Sequence, residues 1–123
     1  MMHPNFVILY VDNPAVSAAF YAELFDRQPV EASPTFALFA FESGAKFGLW
    51  SKHTVEPTAS TGGGGTELAF SVSGDEAVDA CHAEWSGRGL EIRQAPVRMD
   101  FGYTFVALDP DGHRLRVFAP SAS

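Results

Sequence analysis

Histidine, cysteine and carboxylate side chains are the groups of this 123-residue chain that could hold a metal ion or attack a substrate. The histidines are His3, His53, His82 and His113. None of them is spaced from another histidine or a carboxylate as metal ligands on one helix or strand are. Each is interpreted as a surface or partly buried residue, and only His53 and His113 are kept for the rim of a site. Cys81 is the single cysteine, so it forms no internal disulfide.

Composition limits the class of protein. Fifteen acidic residues against eight basic ones give a net charge of -7, which repels polyphosphate and argues against a nucleic-acid partner. Hydrophobic residues make up 46% of the chain, enough for the core of one domain. There is no basic-then-apolar leader, and no apolar run approaches the ~18 residues of a membrane span. We therefore expect a cytoplasmic protein without membrane contact.

The first half of the chain predicts a strand, a helix and three further strands. Residues 6–11 are an apolar, β-rich run, and Asn13 and Pro14 suit the start of a helix over residues 15–25. The period of the helix assigns its apolar face to Val16, Ala19, Phe20 and Leu24. Strand-like segments follow at residues 29–32, 36–42 and 46–50.

The second half repeats this order after an aperiodic stretch that ends in four glycines, residues 62–65. A strand at 67–72 precedes a helix at 76–86, whose apolar side carries Val78, Cys81 and Trp85. The closing strands are predicted at residues 90–94, 101–108 and 113–118. Asp109-Pro110-Asp111-Gly112 is a strong turn signal between the last two.

The shared element order indicates a duplication. A few identities accompany it. Sliding the chain by 61 positions places Val11 on Val72, Ala19 on Ala80, Ala22 on Ala83 and Glu23 on Glu84. Sliding it by 68 positions places Gly44 on Gly112.

A doubled βαβββ unit with FVILYVDNPAVSAAFYAELF near its start and LDPDGHRLRVF near its end resembles the vicinal-oxygen-chelate superfamily. That superfamily includes glyoxalase I, extradiol dioxygenases, fosfomycin-resistance transferases and bleomycin-resistance proteins. The resemblance covers nearly the whole chain. It implies an α+β fold in which two βαβββ modules form an open barrel of the glyoxalase/bleomycin-resistance type. It also implies one domain over residues 1–123, with modules at about 4–52 and 66–120, a linker at 53–65, and a homodimer.

The resemblance further identifies four strand positions at which metal-dependent members carry ligands. They correspond here to Phe6, Gly48, Glu67 and Arg116. Phenylalanine and glycine have no ligating side-chain atom, and arginine stays cationic, so only Glu67 could bind an ion. Because a catalytic divalent ion needs about three protein ligands, we predict no metal, no cofactor and no catalytic residue. The missing ligands favour a binding protein over an enzyme.

Without an ion, the remaining side chains at these positions predict a site for a flat organic molecule. Strand side chains alternate between faces, so Tyr10 accompanies Phe6, and Trp50 accompanies Gly48. The predicted ligand-binding residues are Phe6, Tyr10, Gly48, Trp50, Glu67, Tyr103, Arg116 and Phe118. Aromatic walls suit stacking, Arg116 could hold a carboxylate, and Glu67 could accept hydrogen bonds from an amine or amide.

Structural interpretations compete with these assignments. Trp50 is equally well interpreted as a core residue, and Glu67 and Arg116 could pair only with each other. The aromatic residues Phe36, Phe39 and Phe41 look like core and dimer-contact residues, not ligand contacts.

Among metal-free members, the chain resembles phenazine-resistance proteins in two segments, FGLWS at residues 47–51 and FGYTF at residues 101–105. In that group a tryptophan on the fourth strand stacks on the drug, a role the resemblance assigns to Trp50. The implied function is metal-independent sequestration of a planar aromatic antibiotic. The first alternative is a metal-dependent lyase, isomerase or dioxygenase that recruits Glu67, Glu42 and His113. The second is a partner module that has lost ligand binding.

Overall fold

The computed structural model describes residues 2–121, and these divide into two compact units with the boundary between Thr61 and Gly62. We call residues 2–61 the first module and residues 62–121 the second module. Each module is a βαβββ unit, so the predicted α+β fold built from two such modules is confirmed. Each module holds one four-stranded sheet with two free edges, so neither sheet closes into a barrel by itself.

The first module follows the predicted order with small changes at the strand ends. Its elements are β1 (Phe6–Val11), α1 (Pro14–Phe25), β2 (Glu31–Ala32), β3 (Phe36–Ala40) and β4 (Lys46–Ser51). The strand order in this sheet, sheet 1, is β1-β4-β3-β2. Strand β1 pairs with β4 in parallel, and the other pairs are antiparallel. The β1–β4 pair is parallel because α1 returns the chain to the same end of the sheet.

Helix α1 begins as predicted but buries a different face. The Asn13 side chain accepts the backbone N–H groups of Ala15 at 3.0 Å and Val16 at 3.4 Å, which caps the helix. The buried residues of α1 are Pro14, Ser17, Ala18, Tyr21 and Ala22. The predicted face was wrong, since Val16 is 54% exposed. Apolar residues occur on several sides of α1, so their period does not select the buried side, whereas the packing of Tyr21 does.

An aromatic cluster joins α1 to sheet 1. The Tyr21 ring is fully buried and lies 4.8 Å, between centroids, from the Phe47 ring. Phe25 contacts Phe39 at 5.5 Å and Phe41 at 5.3 Å. These edge-to-face contacts add about 0.5–1.5 kcal/mol each beyond the burial of area. They form part of the core of the first module. Phe39 is fully buried, which confirms it as a core residue, whereas Phe41 is partly exposed at the edge of the cluster.

The second module has the same architecture. Its elements are β5 (Glu67–Ser71), α2 (Asp75–Gly87), β6 (Glu91–Met99), β7 (Gly102–Leu108) and β8 (Arg114–Pro120). The strand order in sheet 2 is β5-β8-β7-β6. Strand β6 is longer than predicted and continues past Pro96. A proline is tolerated there because β6 is an edge strand, where the missing N–H disrupts no inner ladder. Register shifts occur on both sides of Gln94.

Helix α2 covers one face of sheet 2 through the side predicted for it. Val78 and Trp85 are buried, and Cys81 is half-buried. The Trp85 ring lies 5.4 Å from Phe105 and 6.0 Å from Phe70. The helix side of sheet 2 is therefore its apolar core.

The glycine-rich stretch and the last turn are packed together. Residues Gly63–Gly65 form a short 3-10 helix. A Cβ atom on Gly63 would lie 2.8 Å from the carbonyl oxygen of Asp111, so only glycine fits there. In the turn, Asp109 Oδ1 accepts the N–H of His113 at 2.8 Å, and Asp109 Oδ2 lies 2.7 Å from His113 Nδ1. Part of the predicted linker thus lies against the second module.

Within residues 2–121, neither α-helix combines the length and hydropathy needed to span a bilayer.

Replacing Gly102 by alanine tests a position where a glycine lies directly against the backbone of a neighbouring strand. Gly102 has φ +151°, and a Cβ there would lie 2.0 Å from the carbonyl oxygen of Ala119. We expect Gly102→Ala to lower the free energy of unfolding by about 2–4 kcal/mol. Gly87→Ala is the control, because a Cβ on Gly87 meets no atom within 4 Å; it should stay within about 1 kcal/mol of the parent protein. Urea denaturation measures both, and equal stabilities would contradict the assignment.

Candidate ligand-binding faces

The face of sheet 1 that points away from α1 is called open face 1. Ladder register places its residues, because directly paired residues carry their side chains on the same face. Tyr10 pairs with Trp50, Trp50 with Phe36, and Ile8 with Gly48. Phe6, Ile8 and Tyr10 are each more than 40% exposed. Open face 1 therefore presents aromatic and apolar side chains beyond what the core requires.

Gly48 lies beneath two aromatic rings on this face. A Cβ atom built on it would lie 2.9 Å from Phe36 Cζ and 3.1 Å from Phe6 Cε1. The two rings can approach the β4 backbone only because residue 48 has no side chain. Apolar rings therefore occupy the space next to the strand position at which a side-chain ligand was expected in metal-dependent relatives.

Trp50 belongs to open face 1 and not to the core under α1. Its ring lies 6.2 Å from Phe36 in an edge-to-face arrangement, at an interplanar angle of 86°. It is half-buried. Phe36 was not predicted as a site residue because it was grouped with Phe39 and Phe41. Its pairing with Trp50 in the β3–β4 hairpin distinguishes it from Phe39, which pairs with Phe47.

The face of sheet 2 that points away from α2 is called open face 2. Glu67, Arg116 and Phe118 lie on it, as predicted from strand alternation. Phe101, from the segment before β7, packs over this face. Its ring centroid lies 5.9 Å from that of Phe118 and 5.6 Å from Arg116 Cζ.

Glu67 and Arg116 form an ion pair with each other, which was the alternative to ligand binding that the sequence left open. Arg116 Nε donates to Glu67 Oε2 at 3.0 Å, and Arg116 Nη2 donates to Oε1 at 2.9 Å. Arg116 Nη1 donates to Thr104 Oγ1 at 3.2 Å. The hydrogen bond from Arg116 holds the pKa of Glu67 below its usual value, so Glu67 is ionised at neutral pH and its charge is balanced.

Tyr103 lies on the helix side of sheet 2. Its hydroxyl donates to Asp79 Oδ1 on α2 at 2.7 Å, and this hydrogen bond raises the pKa of Tyr103. The sheet therefore separates Tyr103 from Arg116 and Phe118, with which the sequence analysis had grouped it. Because side chains alternate along β7, Thr104 and not Tyr103 lies next to Arg116.

Comparisons with known proteins decide the family. The model of the Glyoxalase/Bleomycin resistance protein/Dioxygenase superfamily matches residues 3–117. The chain belongs to this superfamily. It is also 32% identical, over 93% of its length and 89% of the relative's, to the phenazine antibiotic resistance protein EhpR of Enterobacter agglomerans.

Solved structures agree with the fold. A protein of Agrobacterium tumefaciens, solved by NMR in solution, is 56% identical with a TM-score of 0.91; the match covers 99% of this chain and 100% of that one. A glyoxalase-related enzyme from Fulvimarina pelagi is 21% identical with a TM-score of 0.83, covering 97% and 88% of the two chains. The latter comparison shows the fold alone.

The metal ion used by some members of this superfamily does not fit the residues found here. Glu67 is paired with Arg116, Glu42 forms an ion pair with Arg27, and His113 is hydrogen-bonded to Asp109. Across residues 2–121, no three histidine, cysteine, aspartate or glutamate side chains are grouped so that they could hold an ion. The candidate donors are therefore dispersed and already engaged.

The remaining reactive side chains are hydrogen-bonded to a neighbour or partly buried. His113 is only 5% exposed and is held by Asp109, so it is part of the turn and not of a site rim. His53 is exposed, and its Nε2 lies 2.8 Å from Asp12 Oδ1, which lowers the pKa of Asp12. Burial raises the pKa of the Cys81 thiol to about 11, which leaves it protonated and unreactive at neutral pH.

The pH dependence of stability tests the Glu67–Arg116 pair. A carboxyl whose pKa is lowered by folding stabilises the protein above its unfolded pKa and loses this contribution as the pH falls through the folded pKa. At pH 6 we expect Glu67→Gln to be less stable by about 0.5–1 kcal/mol, since the pair is partly solvated.

As the pH falls below the unfolded pKa and then through the lowered folded pKa of Glu67, the two proteins should converge, because Glu67 then becomes protonated in both states of the parent protein. Urea denaturation at pH 3 to 7 measures the difference, with Glu91→Gln on exposed β6 as the control. A difference that stays constant over this range would contradict the lowered pKa.

Proposed function

We propose that the protein binds a planar aromatic small molecule, an antibiotic or a related compound, and holds it without chemical turnover. Open face 1 carries the proposal, because the rings of Phe6 and Phe36 cover Gly48 next to Trp50. This face has aromatic surfaces at the place where metal-dependent relatives need donor atoms.

The chemistry of this face suits flat ligands. Exposed apolar side chains on one sheet face are a common mark of a binding surface. Tyr10, Trp50 and Phe36 are neighbours across three strands, so a planar ring laid on the sheet can meet several of them. Each good aromatic contact adds about 0.5–1.5 kcal/mol beyond area burial. The selectivity that results favours flat, extended rings over compact aliphatic molecules.

Similarity to the phenazine antibiotic resistance protein supports an antibiotic as the ligand. A binding protein confers resistance by lowering the free concentration of the drug. The mechanism is stoichiometric, so it needs a dissociation constant below the working drug concentration and no catalytic group. We propose the same mechanism here, in a cytoplasmic homodimer whose ligand binding is independent of metal.

Substitution of Trp50 tests the stacking surface. We expect Trp50→Ala to weaken binding of phenazine by roughly tenfold, because it removes an aromatic contact and buried area worth about 1.4 kcal/mol. Trp50→Phe should retain most of the affinity, since a ring remains. Calorimetry measures both, with Val16→Ala on the outer side of α1 as the control. Unchanged affinity in Trp50→Ala would remove the main support for the proposal.

Metal loading separates the proposal from the lyase, isomerase or dioxygenase alternative. After exposure to Ni, Zn, Mn and Fe salts and dialysis, we expect elemental analysis to find well under one ion per chain. Ligand affinity should be the same with and without a chelator. One tightly bound ion per chain, lost in Glu67→Gln, would instead establish a metal-dependent site.

A further inference from the structure

We infer that open face 2 selects an uncharged planar ligand bearing a hydrogen-bond donor, such as a hydroxyl, amine or carboxamide, over the matching carboxylate. This inference rests on the proposed function, the binding of a planar aromatic molecule, and it concerns the class of ligand that open face 2 itself accepts. It follows from the way the Glu67–Arg116 pair uses its hydrogen-bonding groups.

The edge of Arg116 that binds carboxylates is already occupied. Arginine holds a carboxylate through two N–H groups along one edge of the guanidinium. Here Nε and Nη2, which form such an edge, both donate to Glu67. Nη1 donates to Thr104 Oγ1, and Thr104 is fully buried. A ligand carboxylate would have to displace Glu67 from Arg116 to gain the same pair of bonds.

Glu67 supplies acceptor atoms to an incoming ligand. Its side chain is 36% exposed, against 16% for Arg116. Oε2 accepts one hydrogen bond, from Arg116 Nε, and a carboxylate oxygen can accept more than one. A donor on the ligand can therefore bind Oε2 while the ion pair stays intact. A ligand carboxylate would meet a like charge there, and such a juxtaposition disfavours the wrong partner.

The aromatic residues beside the pair position a ring for this contact. Phe101 packs edge-to-face against Phe118 and lies over the Arg116 guanidinium, so open face 2 carries a partly exposed aromatic ring beside the Glu67–Arg116 pair. Arg114 is another cation on this face. It is exposed and pairs directly with Glu67 in the β5–β8 ladder, so it is the residue that could attract an anion instead.

Calorimetry with phenazine-1-carboxamide and phenazine-1-carboxylate at pH 7.5 tests the inference, because the two probes differ only in the charged group. We expect the parent protein to bind the carboxamide at least tenfold more tightly. In Glu67→Gln the preference should fall to about threefold or less, since the like charge is gone and Arg116 is less strongly engaged. Arg114→Gln is the matched control and should retain the parent preference.

The other outcomes distinguish failure of this inference from failure of the proposed function. Equal or tighter binding of the carboxylate by the parent protein overturns the inference and leaves the proposed function standing. An unchanged preference in Glu67→Gln also overturns it. If Arg114→Gln abolishes the discrimination, then Arg114 and not the ion pair sets the ligand class. Binding of neither probe overturns the proposed function together with this inference.

Discussion

Burial of one face of each sheet beneath its helix is the constraint on which the rest of the structure depends. A strand that slips by one residue turns all its side chains to the opposite face. In sheet 1 the packing of Tyr21 and Phe25 on Phe47 therefore determines which residues of β4 point away from the helix. Trp50 and Gly48 reach open face 1 because Phe47 and Leu49 are buried.

The two open faces use their side chains differently. Open face 1 is apolar, and the absence of a side chain at Gly48 lets aromatic rings cover the backbone. Open face 2 carries charges, but Glu67 and Arg116 neutralise each other and are tied to the sheet through Thr104. We propose that both surfaces suit a flat organic molecule, because open face 1 presents aromatic rings and the charges of Glu67 and Arg116 on open face 2 balance each other. The binding proposal and the inferred ligand class both depend on these features.

Local chemistry made several features predictable. The start of α1 followed from Asn13 and Pro14, and the last turn followed from residues 109–112. The apolar side of α2 was found because its three apolar residues share one period. The face of α1 was missed because apolar residues lie on several of its sides. Phe36 was missed because it was grouped with Phe39 and Phe41, although strand alternation places residues 36 and 39 on opposite faces of the sheet.

The amino-acid sequence by itself determined the order of elements, the alternation within each strand and the lack of ligating side chains at Phe6 and Gly48. These follow from residue type and from periods of a few residues, which are local properties of the chain. Tertiary structure alone decided that Glu67 pairs with Arg116, that Tyr103 turns towards Asp79, and that Phe36 lies beside Trp50. Those contacts join residues 14 to 49 positions apart or across a ladder, so they depend on strand register and helix packing, which no local pattern contains.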